Sequence, residues 1–379
     1  MIKNILVLGG TGAMGTPLVQ QLAQENNVYV TSRRKRQLSN SSNITYIQGN
    51  AKDVKFLADV LSQRRWDSVV DFMVWGKEFE QVSSLMLKST EQYVFISSAR
   101  VYAQTESPIT EYTPRLLDVC NDEEYLKTNE YALAKAREED LLLKSGKKNF
   151  TIIRPTITYN KNRLQLGVLE KENWVYRVLH GRSIVFSKDI AKKITTMTYG
   201  EDMAKGIASL VGKEDARGEV FNITCPQSLL WSEVLDIYLN VFEEQLGYRP
   251  RVVMTEKSTN LQFKNRIYQV IYCRYFNRTF DNSKVSKFCN PSEFKTPQEG
   301  LSECLRQFIL NPKYDNIDWI LEAVNDRAAG ERTPINEIDS IGNKLYYIIY
   351  RYHLLIFLPV LQSAGLARRI VSALINKMK

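Results

Sequence analysis

The sequence predicts an α/β fold: a doubly wound parallel sheet, a smaller C-terminal α/β lobe laid over its carboxyl edge, and a helical C-terminal tail. Three observations carry this reading. Between residues 4 and 155, short runs rich in Val, Ile, Tyr and Phe alternate with longer amphipathic stretches, the pattern of parallel strands joined by crossover helices. Glycines stand at 9, 12 and 15, between the first such run and the first helical stretch. Beyond residue 160 the alternation gives way to charged, loop-rich sequence, as an irregular lobe requires.

Taken in order, strands are predicted at Asn4–Leu8, Val28–Thr31, Thr45–Gln48, Ser68–Met73, Tyr93–Ser97 and Phe150–Arg154, each short and rich in β-branched or aromatic residues. Helical spacing marks Thr16–Gln24, Val54–Gln63 and Asn129–Leu143. Asp53, just ahead of the second of these, suits a helix N-cap better than a functional acid. A later strand is expected at Glu219–Thr224, followed by a helix over Trp231–Leu246. The domains read as 1–160 for the sheet, with segments around 183–224 returning to it, 161–330 for the lobe and 331–379 for the tail.

Composition narrows the chemistry. A chain of 379 residues with 44% hydrophobic and 25% charged content buries a large core. No charged leader with an apolar segment and small-residue cleavage site precedes the first strand, so a cytoplasmic protein is expected. The five cysteines (Cys120, Cys225, Cys273, Cys289, Cys304) lack CxxC spacing and read as plain thiols rather than disulfide partners or metal ligands. With His180 and His353 the only histidines, a Ser-His-Asp hydrolase or a His-rich metal centre lacks material, and acid-base work falls to other side chains.

The formal charge of +9 is concentrated late in the chain. After Asp339 no acid follows, whereas Lys344, Arg351, Arg368, Arg369, Lys377 and Lys379 do. Nucleic acid is therefore not expected as a partner. Within this tail Leu345–Leu361 is apolar and aromatic but broken by Arg351, His353 and Pro359, short of the roughly 20 apolar residues a spanning helix needs. It reads as a helix packed on the body or a second subunit, or as an interfacial anchor on the inner face of an anionic membrane through 345–379.

The glycine segment has a mechanical meaning. Gly9 permits the sharp turn out of the strand, Gly12 lets backbone approach a pyrophosphate, and Gly15 lets the helix pack close. The phosphates then meet the N–H groups at the helix start. The sheet is thus of the Rossmann type, with Thr11, Ala13 and Met14 completing a dinucleotide loop. The second strand runs into Ser32-Arg33-Arg34, without the acid that grips the ribose of NAD. Arginine suits a 2′-phosphate, so NADP(H) is expected, with NAD(H) the alternative. Asn50 and Ala51 fall beside the adenine, and Phe72, Met73 and Pro155 at strand ends along the cofactor.

At the end of the fifth strand stands Ser98, and downstream Tyr131-Ala-Leu-Ala-Lys135. Positions i and i+4 share a helix face, and an ammonium beside a phenol favours its phenolate, bringing it toward use at neutral pH. Tyr131 is then the acid-base, Lys135 tunes it and holds the nicotinamide ribose, and Ser98 hydrogen-bonds the substrate oxygen.

With these pieces the chain resembles the extended short-chain dehydrogenase/reductase family, also called the NAD-dependent epimerase/dehydratase family. The resemblance rests on Gly9 to Gly15, Ser98-Ala-Arg-Val-Tyr102, Tyr131 to Lys135, Arg154-Pro155-Thr156, Glu201-Asp-Met-Ala204 and Gly218-Glu-Val-Phe-Asn222, covering roughly residues 1 to 310. It implies a Rossmann domain, a C-terminal substrate lobe, a homodimer, and a nucleotide-activated sugar as substrate. Family dehydratases resemble one another in an Asp-Glu pair after the catalytic hydroxyl, where this chain has Ala99 and Arg100. That leaves epimerisation or ketone reduction. Ile157 and Asn160 stand where sugar-nucleotide relatives often carry Asn and Gly. Substrate contacts are expected from Tyr159, Arg163, Gln165, Trp174 and Arg177, with Arg182 nearby.

The function expected is an epimerase or ketoreductase acting on a nucleotide-activated or lipid-linked sugar. Two alternatives stand beside it: a reductase of an apolar small molecule, and a non-enzymatic cofactor-sensing or RNA-binding protein on the same scaffold.

Overall fold

In the computed structural model, residues 2–36, 43–73, 75–260, 264–354, 356 and 359 are described. Six strands lie in the first part of the chain: β1 (Asn4–Leu8), β2 (Asn27–Ser32), β3 (Ile44–Gln48), β4 (Ser68–Asp71), β5 (Tyr93–Ile96) and β6 (Phe150–Pro155). A seventh, Glu219–Ile223, joins them after a long excursion, giving the order Glu219–Ile223, β6, β5, β4, β1, β2, β3. Every pair is parallel. The chain direction of winding reverses between β1 and β4, and ligands of such sheets bind outside the carboxyl ends of the strands at that point.

The period of two along a strand explains why both faces are buried. In β1, Ile5 and Val7 face a core shared with Leu18, Val19 and Leu22 of α1 (Gly15–Leu22) and with Met203 and Ile207 of the Gly200–Leu210 helix. Leu6 and Leu8 face the opposite core, with Leu57 and Val60 of α2 (Val54–Ser62) and Phe79 and Val82 of α3 (Phe79–Ser89). Burying each such aliphatic side chain contributes about 1.5–3 kcal/mol. Asp53 caps α2 as expected, accepting from the N–H groups of Lys55 and Phe56.

The lobe has its own core. Trp174, on the Lys171–Leu179 helix, packs on Tyr238 and Phe242 of the Trp231–Leu246 helix, with ring centroids 4.4 and 6.0 Å apart. The segment expected to be a tail is tied into this lobe from its start. Glu331 and Glu337 reach back to Arg177 and Arg182, and the Ile341–Arg351 helix lays Tyr347 against the Trp319–Ala329 helix, its hydroxyl donating to Asp326 at 2.6 Å. Packing on the body thus holds for 341–351, and no helix among the described residues is long and apolar enough to cross a membrane. The rest of the expected 345–379 anchor, from 360 on, lies outside the described residues.

Candidate active site

The turn after β1 is built as the glycines predict. Gly9 has φ +72°, and a Cβ there would sit 2.9 Å from the Met73 sulfur. A Cβ on Gly15 would meet the Gly10 backbone at 2.7 Å, so α1 closes on the turn only with glycine at that position. Gly12 is different: a Cβ there would meet nothing within 4 Å. The protein's own packing does not require glycine at 12, and its bare backbone faces open space. No side chain caps the start of α1, so its dipole end is available to an anion.

Three adjoining spaces run across the carboxyl ends of the strands. The first is lined by Gly9, Thr11, Ser32, Arg33, Arg34, Arg36, Gly49, Asn50, Ala51, Lys52 and Met73, with no acid among its walls. The second shares Gly9 and Thr11 and continues along Gly12, Ala13, Met14 and Gly15 to Phe72. The third is a cavity of about 360 Å³ that shares Met14 and Phe72 with the second. Ser98, Tyr131, Lys135 and Pro155 line it. Every residue expected to hold a dinucleotide therefore lines one of these three adjoining spaces, and the three expected catalytic residues line the third.

Each of those three is held by specific partners. Ser98 follows β5, and its Oγ accepts from the Arg100 N–H at 3.2 Å, leaving its own proton free. Tyr131 opens the Tyr131–Leu143 helix, capped by Glu130, which accepts from the Ala132 N–H and pairs with Arg100. The Arg100 guanidinium lies 5.3 Å from the centre of the Tyr131 ring. Lys135 is buried, donates to the Met73 carbonyl at 3.0 Å, sits 4.4 Å from the centre of the Phe95 ring and lies 3.0 Å from Glu138. Its charge is thus already opposed by a carboxylate one turn on, a partner that the Tyr-Lys spacing gave no reason to expect. Glu138 in turn accepts from the Gly76 N–H, tying the helix to the loop after β4. Asp71 at the end of β4 accepts from Met73 N–H, Trp75 and Tyr93. Burial raises its pKa against those hydrogen bonds.

Other motif residues have structural work. Arg154 forms two hydrogen bonds to fully buried Glu139 and lies 4.6 Å from the Tyr102 ring centre, while the Tyr102 hydroxyl donates to Asn222. This network fastens β5, β6 and the seventh strand at the edge from which the site opens.

The expected substrate contacts divide. Arg163 and Gln165 line the cavity. Tyr159, Trp174 and Arg177 do not. Tyr159 lies in the lobe core, its ring 5.8 Å from that of Tyr199, and Trp174 belongs to the same core. Arg177 is fully buried and bound to Glu322, Asp326 and Glu331 at 2.7–2.9 Å. Arg182, suggested beside them, pairs with Glu322 and Glu337. These arginines are spent on carboxylates far along the chain. In their place the cavity receives Arg100, Trp231, Cys273, Arg274 and Arg278, none of which sequence reasoning assigned to the site. The one signal available was the Cys273-Arg274 and Arg278 cluster, with two basic residues four apart.

Comparison with known proteins agrees with this architecture. Residues 9–197 match the model of the NAD(P)H-binding family. Among solved structures, dTDP-glucose 4,6-dehydratase from Bacillus anthracis superposes with a TM-score of 0.62 at 17% identity, over 82% of this chain and 97% of that one. UDP-N-acetylglucosamine 4-epimerase from Methanobrevibacter ruminantium gives 0.61 at 18% identity, over 82% and 99%. UDP-glucose 4-epimerase from Bifidobacterium longum gives 0.58 at 18%, over 82% and 99%. In sequence, the chain is 28% identical over 238 residues to the chloroplast stem-loop binding protein of 41 kDa b of Arabidopsis thaliana. That match spans 59% of this chain and 58% of the relative's length.

Proposed function

We propose that this chain, which has the fold of the extended short-chain dehydrogenases/reductases and an NAD(P)H-binding family match, is an NADP(H)-dependent ketoreductase or epimerase of a small polar, sugar-like substrate. One observation carries the reading: Ser98, Tyr131 and Lys135 line a single cavity that shares Met14 and Phe72 with the space beside the glycine turn. A cavity of about 360 Å³ is at the small end of the roughly 300–1,000 Å³ typical of ligand sites. It suits the reacting sugar-sized group, with any nucleotide or lipid carrier extending outward.

The dinucleotide, when bound, supplies or accepts a hydride. The chain's own residues manage the proton and the geometry. The Tyr131 hydroxyl exchanges a proton with the substrate oxygen, and the free Ser98 O–H donates to that same oxygen. Lys135, fixed by Met73 and Glu138, keeps its ammonium beside the ribose end of the groove. Ala99 and Arg100, in place of an acid pair, supply no second acid for eliminating water, which favours epimerisation or reduction over dehydration. Arg33, Arg34 and Arg36, with no acid on the walls of the space they line, favour the 2′-phosphate of NADP(H).

Replacing Tyr131 by Phe tests the reading. Turnover is expected to fall about 10²- to 10⁴-fold, with NADPH binding, read by nicotinamide fluorescence, unchanged. A second reading is favoured by the stem-loop binding relative: an RNA-binding protein on the same scaffold. It gains if labelled stem-loop RNA binds wild type and Tyr131→Phe equally and no carbonyl substrate is turned over.

A further inference from the structure

We propose that the lobe side of the cavity is an oxyanion subsite, in which Arg274 and Arg278, with Arg100, take a carboxylate or phosphate carried by the substrate beside its reacting carbon. The inference rests on the reading of this cavity as the substrate site and names the class of molecule it accepts.

The argument is one of uncompensated charge. All three arginines line the cavity, and Arg274 and Arg278 are only 4% and 7% exposed. Burying a cation is costly unless a negative partner accompanies it. Yet neither Arg274 nor Arg278 pairs with a carboxylate among the described residues; both spend hydrogen bonds on neutral carbonyls. Arg274 Nε donates to Gly167 O at 2.8 Å, and Arg278 donates to Tyr102 O, Tyr272 O and Ala103 O at 3.0, 3.3 and 3.4 Å. Among the described residues Arg278 Nε has no hydrogen-bond partner, and neither has Arg100 Nε, although Arg100 pairs with Glu130 through another nitrogen. Burial, joined by repulsion from the neighbouring arginines, pulls both Arg274 and Arg278 below the ordinary guanidinium range, outweighing the pull of Cys273 on both and of the Glu170 carboxylate, which acts on Arg274 without an ion-pair contact.

The acidic group in direct contact with Arg274 is a thiol. Arg274 Nη1 donates to Cys273 Sγ at 2.9 Å. Burial opposes a thiolate at Cys273, but Arg274, Arg278 and Arg100 together outweigh it and hold the thiol below its ordinary range. Cys273 also lines the cavity. A soft sulfur thus stands where a bound oxyanion would satisfy the free guanidinium N–H groups better, bidentate contact being the geometry arginine offers. Trp231, 5.8 Å from Arg274, and Phe276, 5.0 Å from Arg278, also line the cavity, and their apolar rings lower the local polarity, which strengthens such a contact.

The test uses the full-length wild-type protein, inorganic phosphate and malonate as probes, glucose as an uncharged control and sodium chloride at matched ionic strength. Alkylation of Cys273 by iodoacetamide is followed by mass spectrometry, and heats of binding are read by calorimetry. Phosphate or malonate is expected to slow Cys273 alkylation at least fivefold and to shift its pH midpoint upward, with saturable heat; glucose and chloride are expected to do neither. Whichever oxyanion acts at lower concentration identifies a phosphate or a carboxylate on the substrate. In Arg274→Gln and Arg278→Gln the protection is expected to disappear, with Arg→Lys at the same positions restoring part of it. Absence of both protection and saturable heat in wild type, or protection undiminished in both Gln variants, overturns the proposal. NADPH binding is measured in the same samples. If NADPH binds but the oxyanions do not, the subsite falls and the oxidoreductase reading survives; if NADPH fails to bind, that reading falls.

Discussion

Two arginine clusters in the C-terminal lobe have the same chemistry and nearly the same burial, and opposite surroundings. Arg177 and Arg182 are enclosed by Glu322, Asp326, Glu331 and Glu337, with contacts of 2.7–3.1 Å. Arg274 and Arg278 face a cavity, carbonyl oxygens and one sulfur. The first cluster is closed and fastens the Trp319–Ala329 helix and the segment after it to the lobe. The second is open and waits for charge from outside. Burial alone therefore says little about what an arginine does; whether its charge is already answered says much more.

The sharpest way to break this contrast is to remove one arginine from each cluster and compare folding. Arg177→Met takes a cation away from three carboxylates, Glu322 and Asp326 both buried, and should cost about 3–5 kcal/mol, as breaking a buried pair does. Arg274→Gln should cost far less, because no carboxylate loses its partner. Urea denaturation of both variants measures the difference, and equal losses would erase the distinction.

The glycine turn offers the same contrast on a smaller scale. Gly15→Ala drives a methyl into the Gly10 backbone and should cost about 1–3 kcal/mol of stability. Gly12→Ala finds open space, so stability should hold while NADPH affinity drops about tenfold, read by fluorescence titration. A Gly12→Ala protein that loses stability instead would show that the loop is a packing feature rather than a phosphate seat.

The closed cluster should also register in pH, with the smallest effect. Asp326 meets a burial penalty, but Tyr347, Arg177 and Thr333 outweigh it and hold its pKa below the ordinary 3.8. A depressed carboxylate contributes stability above its unfolded pKa and loses it as pH falls through the folded value. Glu322 runs the other way: burial raises it above 4.5, so it takes up a proton first on acidification, which slightly favours the folded form. Thermal melts should therefore be flat or gently rising as pH drops toward about 4.5 and should fall steeply below about 4. Asp326→Asn should blunt that steep limb.

Much of the site was legible before any coordinates. The strand positions of β1 to β6 follow from runs of β-branched and aromatic residues, and the Trp231–Leu246 helix was placed at its observed bounds. The groove residues, from Gly9 to Ala51, came from a motif whose parts lie close in sequence. The helix Phe79–Ser89 was not placed, its apolar positions diluted by Gln, Ser and Lys on the outer face. Tyr159, Trp174 and Arg177 were assigned to the substrate because a dense run of arginine and aromatic residues looks the same whether it faces a ligand or a core.

What the sequence determined by itself was local: a turn that needs Gly9 in a left-handed conformation, a phenol and an amine four residues apart on one helix, a strand end without an acid. Those constraints act over a few residues, and the peptide chain's own geometry enforces them. What tertiary structure decided was which charges are already answered. Arg177 meets its carboxylates 145 to 154 residues away, while the hydrogen bonds of Arg274 among the described residues go to a carbonyl and a thiol. Coulombic partnership depends on separation in space and on exclusion of water, and neither is written in the order of residues along the chain.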